Sequence, residues 1–190
     1  MRARRHPDWL KVNLFPGAHY DRVNNLLKDF GLNTVCQAAK CPNLGECYGR
    51  GAATFMILGN VCTRNCRYCN VNHGSPLPLD RDEPVKVAEA VNALELKYVV
   101  VTSVTRDDLE DGGSGHFCRT VEEIRELAPK AGVEILTPDF RGETCLLEEV
   151  LSAGPHVFNH NVETVRELYP RAKPQGDFER ALRVLKTSKR

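Results

Sequence analysis

Apolar and polar positions follow two rhythms along this chain. The run Ala53-Thr-Phe-Met-Ile-Leu58 is short, almost wholly apolar and bounded by glycines, which predicts a strand buried on both faces. From Pro84 the positions Val87, Ala88, Val91 and Leu94 recur at helical spacing, and Tyr98-Val-Val-Val-Thr102 follows directly as a second strand. The same order returns twice more. Phe117, Val121, Ile124 and Leu127 lead to Val133-Glu-Ile-Leu136, and Leu146, Leu147, Val150 and Leu151 lead to His156-Val-Phe158. A last stripe of Phe178, Ala181, Leu182 and Leu185 predicts a helix running to Thr187 with Asp177 as its N-cap, and no strand follows it.

Strands that alternate with helices of this length imply an α/β fold with a parallel sheet, because parallel neighbours cannot be joined by tight hairpins. The expected architecture is a partial parallel (β/α) barrel of four strands with an open edge, and chemistry gathers at strand C-termini in such folds. From Lys40 to Cys47 the rhythm breaks: Pro42, Gly45 and cysteines replace apolar periodicity, so this stretch is expected to be an insert shaped by a metal ligand. The chain thus divides into an N-terminal extension, 1–52, and a barrel segment, 53–190.

Among the 190 residues, 26 basic side chains nearly cancel 25 acidic ones, which leaves no charge footprint for nucleic acid. No apolar run approaches the length that spans a bilayer, and the start lacks the apolar middle of a secretory signal, so a cytoplasmic protein without a membrane partner is expected. The basic opening Met-Arg-Ala-Arg-Arg-His is interrupted at once by Pro7, Asp8 and Trp9, and reads as a solvated tail rather than a transit peptide. Eight cysteines in such a chain point to metal ligation rather than to disulfide staples.

Six of the eight fall into two groups. Cys62-Thr-Arg-Asn-Cys66-Arg-Tyr-Cys69 puts three thiols in a tight loop just beyond the first strand, and Cys36, Cys41 and Cys47 form a second group upstream. Structural zinc more often uses paired C-x-x-C knuckles with a fourth Cys or His, a pattern the spacing of three then two does not follow. Cys118 and Cys145 lie within helical stripes, without a cluster spacing, and are read as ordinary thiols.

The C-x-x-x-C-x-x-C motif resembles the signature of the radical SAM superfamily. Together with the upstream group, it closely resembles the lipoyl synthase family from about Pro7 to the end of the chain. Further matching segments are Thr102-Ser-Val-Thr-Arg-Asp-Asp-Leu-Glu-Asp-Gly-Gly113, Glu134-Ile-Leu-Thr-Pro-Asp-Phe140 and Phe158-Asn-His-Asn-Val-Glu-Thr164. The resemblance implies a barrel of the radical SAM type with an N-terminal cysteine-rich, cluster-binding extension. It implies two 4Fe-4S clusters: one on Cys62, Cys66 and Cys69 that cleaves S-adenosylmethionine, and an auxiliary one on Cys36, Cys41 and Cys47 that supplies sulfur.

By the same resemblance Tyr68 lies near the adenine, Gly112 and Gly113 near the methionyl amino group, and Asn161 and Glu163 near the rest of the cofactor. Packing for Tyr68, a plain turn for the glycines, a helix cap for Asn161 and a solvated Glu163 stand beside those roles. Arg106, Asp107 and Asp108, after the second strand, are either substrate-site candidates or a solvated charge cluster.

The implied reaction inserts sulfur at carbons six and eight of an octanoyl chain on a lipoyl-acceptor protein domain, with an electron donor such as a ferredoxin or flavodoxin. Saturated carbons have no acidic proton, which is why a radical generator and a sulfur source must lie together. The family's C-terminal Arg-Ser-Ser-Tyr segment has no match here, and Ser188 is a poor substitute for its ligating serine. The chain is therefore expected to be cut short and deficient in product formation. The rival expectation is a non-catalytic iron–sulfur or electron-transfer module.

Overall fold

The computed structural model describes residues 18–50 and 52–189. The basic start of the chain, and the beginning of the family resemblance at Pro7, lie outside the described residues. In chain order the elements are α1 (Ala18–Asp29), α2 (Val35–Ala38), α3 (Leu44–Gly49), β1 (Thr54–Ile57), β2 (Val61–Cys62), β3 (Asn72–His73) and α4 (Glu83–Ala93). They continue with β4 (Tyr98–Ser103), α5 (Ser114–Leu127), β5 (Gly132–Leu136), α6 (Thr144–Ser152), β6 (Val157–Asn159), α7 (Tyr169–Ala172) and α8 (Phe178–Thr187).

The main sheet has the order β1-β4-β5-β6, and every pairing is parallel. Its register puts Phe55 beside Val101, Val101 beside Ile135, and Ile135 beside Phe158, so one apolar row crosses all four strands. Phe55, Val101 and Ile135 are each 0% exposed, as expected where helical crossovers cover a parallel sheet. The βα order expected from the hydrophobic stripes is therefore the observed one, with boundaries shifted by a few residues at most. Asp177 caps α8 as its position predicts, its carboxylate accepting from the Arg180 N–H at 2.6 Å.

Helices α4 and α5 bury their stripes against this sheet through Val87, Val91, Phe117, Val121 and Ile124. Phe117 also meets Phe140 edge to face, with ring centroids 6.2 Å apart. Val23 and Leu27 of α1 and Tyr48 of α3 belong to the same apolar core as Phe55 and Val91.

Part of the cysteine-rich stretch is helical, in α2 and α3. In α3 the Cys47 N–H donates to the Asn43 carbonyl at 2.9 Å, and Tyr48 is fully buried with its hydroxyl 2.7 Å from that of Thr34. Burial, aided by the neighbouring charges, pushes the Tyr48 phenol up to about 12, which keeps it neutral.

Candidate metal and ligand site

The loop that carries the first cysteine group starts from a strained turn. Leu58, just after β1, has φ +69°, a left-handed value that a branched side chain rarely adopts. Two buried partners hold it there: its N–H donates to Glu83 Oε2 at 2.7 Å, and its carbonyl accepts from Arg106 Nη1 at 3.1 Å. The chain then enters β2, which pairs with β3 through Val61–Asn72 and Cys62–His73 and so closes the base of the loop.

Within that base the Cys62 sulfur accepts two backbone hydrogen bonds, from Arg64 at 3.4 Å and from Thr105 at 3.3 Å. Thr63 ties the loop to the segment after β4, its N–H and its hydroxyl each donating to the Thr105 carbonyl at 3.0 Å. Cys69 turns back on Cys66, donating to its carbonyl at 3.1 Å. Burial raises the Cys66 thiol pKa, with the hydrogen bond to Tyr68 and the charge of Lys173 opposing.

No three His, Cys, Asp or Glu side chains converge on a single ion among the described residues. Three thiols on one short loop, at spacings of three then two residues, suit a cluster in which each sulfur takes its own iron.

The second group sits on α2 and α3. Cys36 is buried in α2, Cys41 donates its backbone N–H to the Cys36 carbonyl at 3.0 Å, and Cys47 lies in α3. Burial, followed by the charges of Cys36 and Cys41, raises the Cys47 thiol pKa. A cleft of about 420 Å³ lined by Asn33, Gln37, Asn60, Asn70 and Asn72 lies beside α2, and Asn70 spans it with a 3.2 Å bond to the Ala38 carbonyl. The two cysteine regions are thus joined next to the Cys69 end of the first loop.

A cavity of about 290 Å³ opens beside the first group, at the C-terminal ends of β4, β5 and β6. Ser103 Oγ, Thr137 Oγ1 and His160 Nε2 are buried there without a hydrogen-bond partner. The His160 Nδ1 lies 2.9 Å from the Thr137 carbonyl, which can only accept, so Nδ1 carries the proton and Nε2 is a buried acceptor without a partner. Burial lowers the His160 pKa and keeps the ring neutral. Lys173 also lines the cavity, its side chain only 12% exposed and its Nζ 3.8 Å from Glu163 Oε1. Unsatisfied buried polar atoms beside a paired cation and anion fit a polar, zwitterionic ligand.

Of the residues singled out from the sequence, Cys62, Cys66, Cys69, Tyr68, Asn161 and Glu163 all line this one cavity. Tyr68 is half exposed, and its phenol pKa is raised by burial and then by Cys66 and Glu163. Asn161 caps no helix, since the next helical turn, Arg166–Leu168, has Val165 at its N-cap. Gly112 and Gly113 are not on the lining. They form the entry to α5, where Gly113 has φ +90° and a Cβ would meet Leu58 Cδ1 at 2.4 Å, so packing alone demands glycine there.

Arg106 and Asp108 pair with each other at 2.9 Å, and Arg106 is 3% exposed because it holds the Leu58 turn. Cys118 and Cys145 stay apart from both groups, and burial pushes the Cys118 thiol up to about 11. The sequence reading missed Lys173, His160, Thr137 and the buried Arg64. Thr137 and His160 carry a usable signal, polar residues directly after predicted strands, whereas Lys173 carries none.

Residues 56–190 match the Radical SAM superfamily. Lipoyl synthase of Caldicellulosiruptor saccharolyticus is 52% identical over 190 residues, covering 100% of this chain and 67% of the relative. Lipoyl synthase of Caldanaerobacter subterraneus is 54% identical over 185 residues, covering 97% of this chain and 64% of the relative. That of Acidovorax ebreus is 51% identical over 187 residues, covering 97% and 57%. The chain therefore spans between 57% and 67% of the length of these three curated relatives. Among solved structures, methylornithine synthase (PylB) superposes with a TM-score of 0.55 at 16% identity, over 90% of this chain and 56% of that one, a likeness of fold.

Proposed function

The chain belongs to the lipoyl synthase family of the radical SAM superfamily, and from that membership we propose that it serves the insertion of two sulfur atoms into a protein-bound octanoyl chain at carbons six and eight. Membership brings S-adenosylmethionine and two 4Fe-4S clusters as cofactors. The observation that carries the proposal is one cavity at the strand ends, where the first cysteine group meets buried, unpartnered polar atoms and a Lys–Glu pair.

In this reading Cys62, Cys66 and Cys69 hold one cluster within the barrel segment 53–190. Cys36, Cys41 and Cys47 hold the other within the extension 1–52. Three thiolates satisfy at most three of four irons, which leaves a position for the amino and carboxylate groups of S-adenosylmethionine. When bound, one cluster with S-adenosylmethionine would supply a carbon-centred radical that removes hydrogen from a saturated carbon, and the other cluster would supply the sulfur that takes its place.

The chain's own residues bind and orient. Lys173 offers a cation to a carboxylate, and Glu163 an anion to an ammonium. His160 Nε2 accepts from a hydroxyl or amine of the ligand, and Asn161 and Thr137 add hydrogen bonds. Tyr68 covers an aromatic base, while Gly112 and Gly113 set the course of the neighbouring backbone. Met56, Val71, Val104 and Leu136 give the cavity apolar walls that limit water.

The partners of the reading are an octanoylated lipoyl-acceptor domain and an electron donor such as a ferredoxin or flavodoxin. No helix among the described residues is long and apolar enough to cross a membrane, and a cytoplasmic location is part of the proposal. Anaerobic incubation of the iron- and sulfide-loaded chain with S-adenosylmethionine and a reductant tests it, with 5′-deoxyadenosine as the expected product. A fully loaded chain that releases none would leave the non-catalytic iron–sulfur module as the better description. Repeating the assay with an octanoylated acceptor tests the substrate.

A further inference from the structure

Arg64 lies inside the first cysteine loop, between Cys62 and Cys66, yet its side chain turns away from solvent and is 3% exposed. Its guanidinium grips two carboxylates from different strand ends. Nε and Nη2 reach Asp107, after β4, at 2.6 and 2.8 Å, and Nη1 and Nη2 reach Asp139, after β5, at 2.9 and 2.8 Å. Asp139, 3% exposed, takes a second cation from α8 through Arg180 Nη1 at 3.3 Å. A fork of this kind fixes direction as well as distance, which a lysine could not do.

Both backbone N–H groups that donate to the Cys62 sulfur stand on the two sides of this clamp. One is that of Arg64 itself, and the other is that of Thr105, two residues before Asp107. We infer that Arg64 is a positioning residue: by locking the cysteine loop to the ends of β4 and β5, it holds these two N–H groups on Cys62 and so keeps the bound cluster easier to reduce. Donated hydrogen bonds favour the reduced cluster because its sulfurs carry more negative charge. The inference rests on the assignment of Cys62, Cys66 and Cys69 as cluster ligands.

The test is a potentiometric EPR titration of the iron-loaded chain and of Arg64→Lys, following the signal that changes when S-adenosylmethionine is added. Arg64→Lys keeps the charge and loses the fork, so a shift reports geometry rather than a missing cation. The expected result is a reduction equilibrium about tenfold less favourable, roughly 59 mV more negative for one electron, at undiminished iron content. A variant that melts earlier but titrates at the parent potential would overturn the inference, since a merely structural clamp predicts that pattern. If Arg64→Lys does not fold, Asp107→Asn, at the one-third exposed end of the clamp, is read by the same two outcomes. A parent chain with no signal responsive to S-adenosylmethionine would instead overturn the ligand assignment itself.

Discussion

The Glu83 carboxylate accepts a hydrogen bond from the Leu58 N–H at 2.7 Å, pinning the left-handed turn between β1 and the cysteine loop to the first turn of α4. The same Oε2 lies 2.8 Å from His116 Nε2 on α5, so one buried oxygen joins a strand end and two helices.

Replacing Glu83 by Ala leaves the Leu58 N–H without its acceptor in a site where water cannot substitute. The expected loss is about 2–3 kcal/mol, the range for hydrogen bonds to a buried charged group. Urea unfolding of the apoprotein measures it. A change below about 0.5 kcal/mol would show that the turn holds itself.

The two cysteine groups should separate cleanly by function. Replacing Cys62, Cys66 and Cys69 together by Ala should abolish cleavage of S-adenosylmethionine and lower bound iron by about half, because one of two clusters is lost. Iron analysis and 5′-deoxyadenosine release by the triple variant check both halves of the statement.

Replacing Cys36, Cys41 and Cys47 by Ala should also lower iron by about half, yet leave cleavage measurable, because the cavity adjoins only the other group. The quantity to watch is sulfur-containing product per cofactor cleaved, which should fall to background. Unchanged iron and sulfide would remove the second cluster from the picture.

Acid should loosen the clamp around Asp139. Its carboxyl is held below the ordinary range, with burial opposing and the hydrogen bonds and charge of Arg64 then prevailing. The folded pKa is depressed, so the unfolded chain binds the proton more readily. The pair's stabilisation is therefore complete above the unfolded pKa of about 4 and is lost as pH falls through the folded value. Asp139→Asn should cost about 3 kcal/mol at pH 7, the range for breaking a buried ion pair, and should flatten the acid limb of the stability profile. Denaturant midpoints of parent and variant between pH 7 and pH 3 provide the comparison.

In the cavity, Lys173→Ala should weaken S-adenosylmethionine binding about tenfold or more, since a charge-assisted contact is worth about 1.5–3 kcal/mol. His160→Phe, which removes the acceptor Nε2 and keeps a ring, should act in the same direction by a smaller factor. Equilibrium dialysis of the loaded chain gives both affinities. Parent-like binding by both variants would place the ligand elsewhere.

Much of the fold was legible from the chain itself. The stripes Val87–Val91 and Phe117–Ile124, and the runs that became β1, β4 and β5, each carry an intrinsic period that a buried helix or strand must have. The two groups of three cysteines were legible for a related reason, since thiols crowded onto one short segment stay close whatever the rest of the chain does. The segments the sequence left unread were those held by contacts with distant positions. Tyr48 of α3 is buried with its hydroxyl on Thr34, and the Leu58 turn is held by Glu83 and Arg106, 25 and 48 positions away.

The site divides in the same way. Local spacing determined which thiols could share a cluster, but only the tertiary structure decided what faces them. Arg64 meets Asp139 across 75 positions, and Lys173 reaches Glu163 beside Cys66 from the segment after α7. A single charge or amide has no period to reveal its partner, and desolvation makes it pair wherever the packed sheet brings an opposite group within reach. The βα rhythm thus specified the scaffold, and the cysteine spacing specified which thiols are grouped together. The cavity, its lone pairs and its clamp exist only once β4, β5 and β6 end side by side.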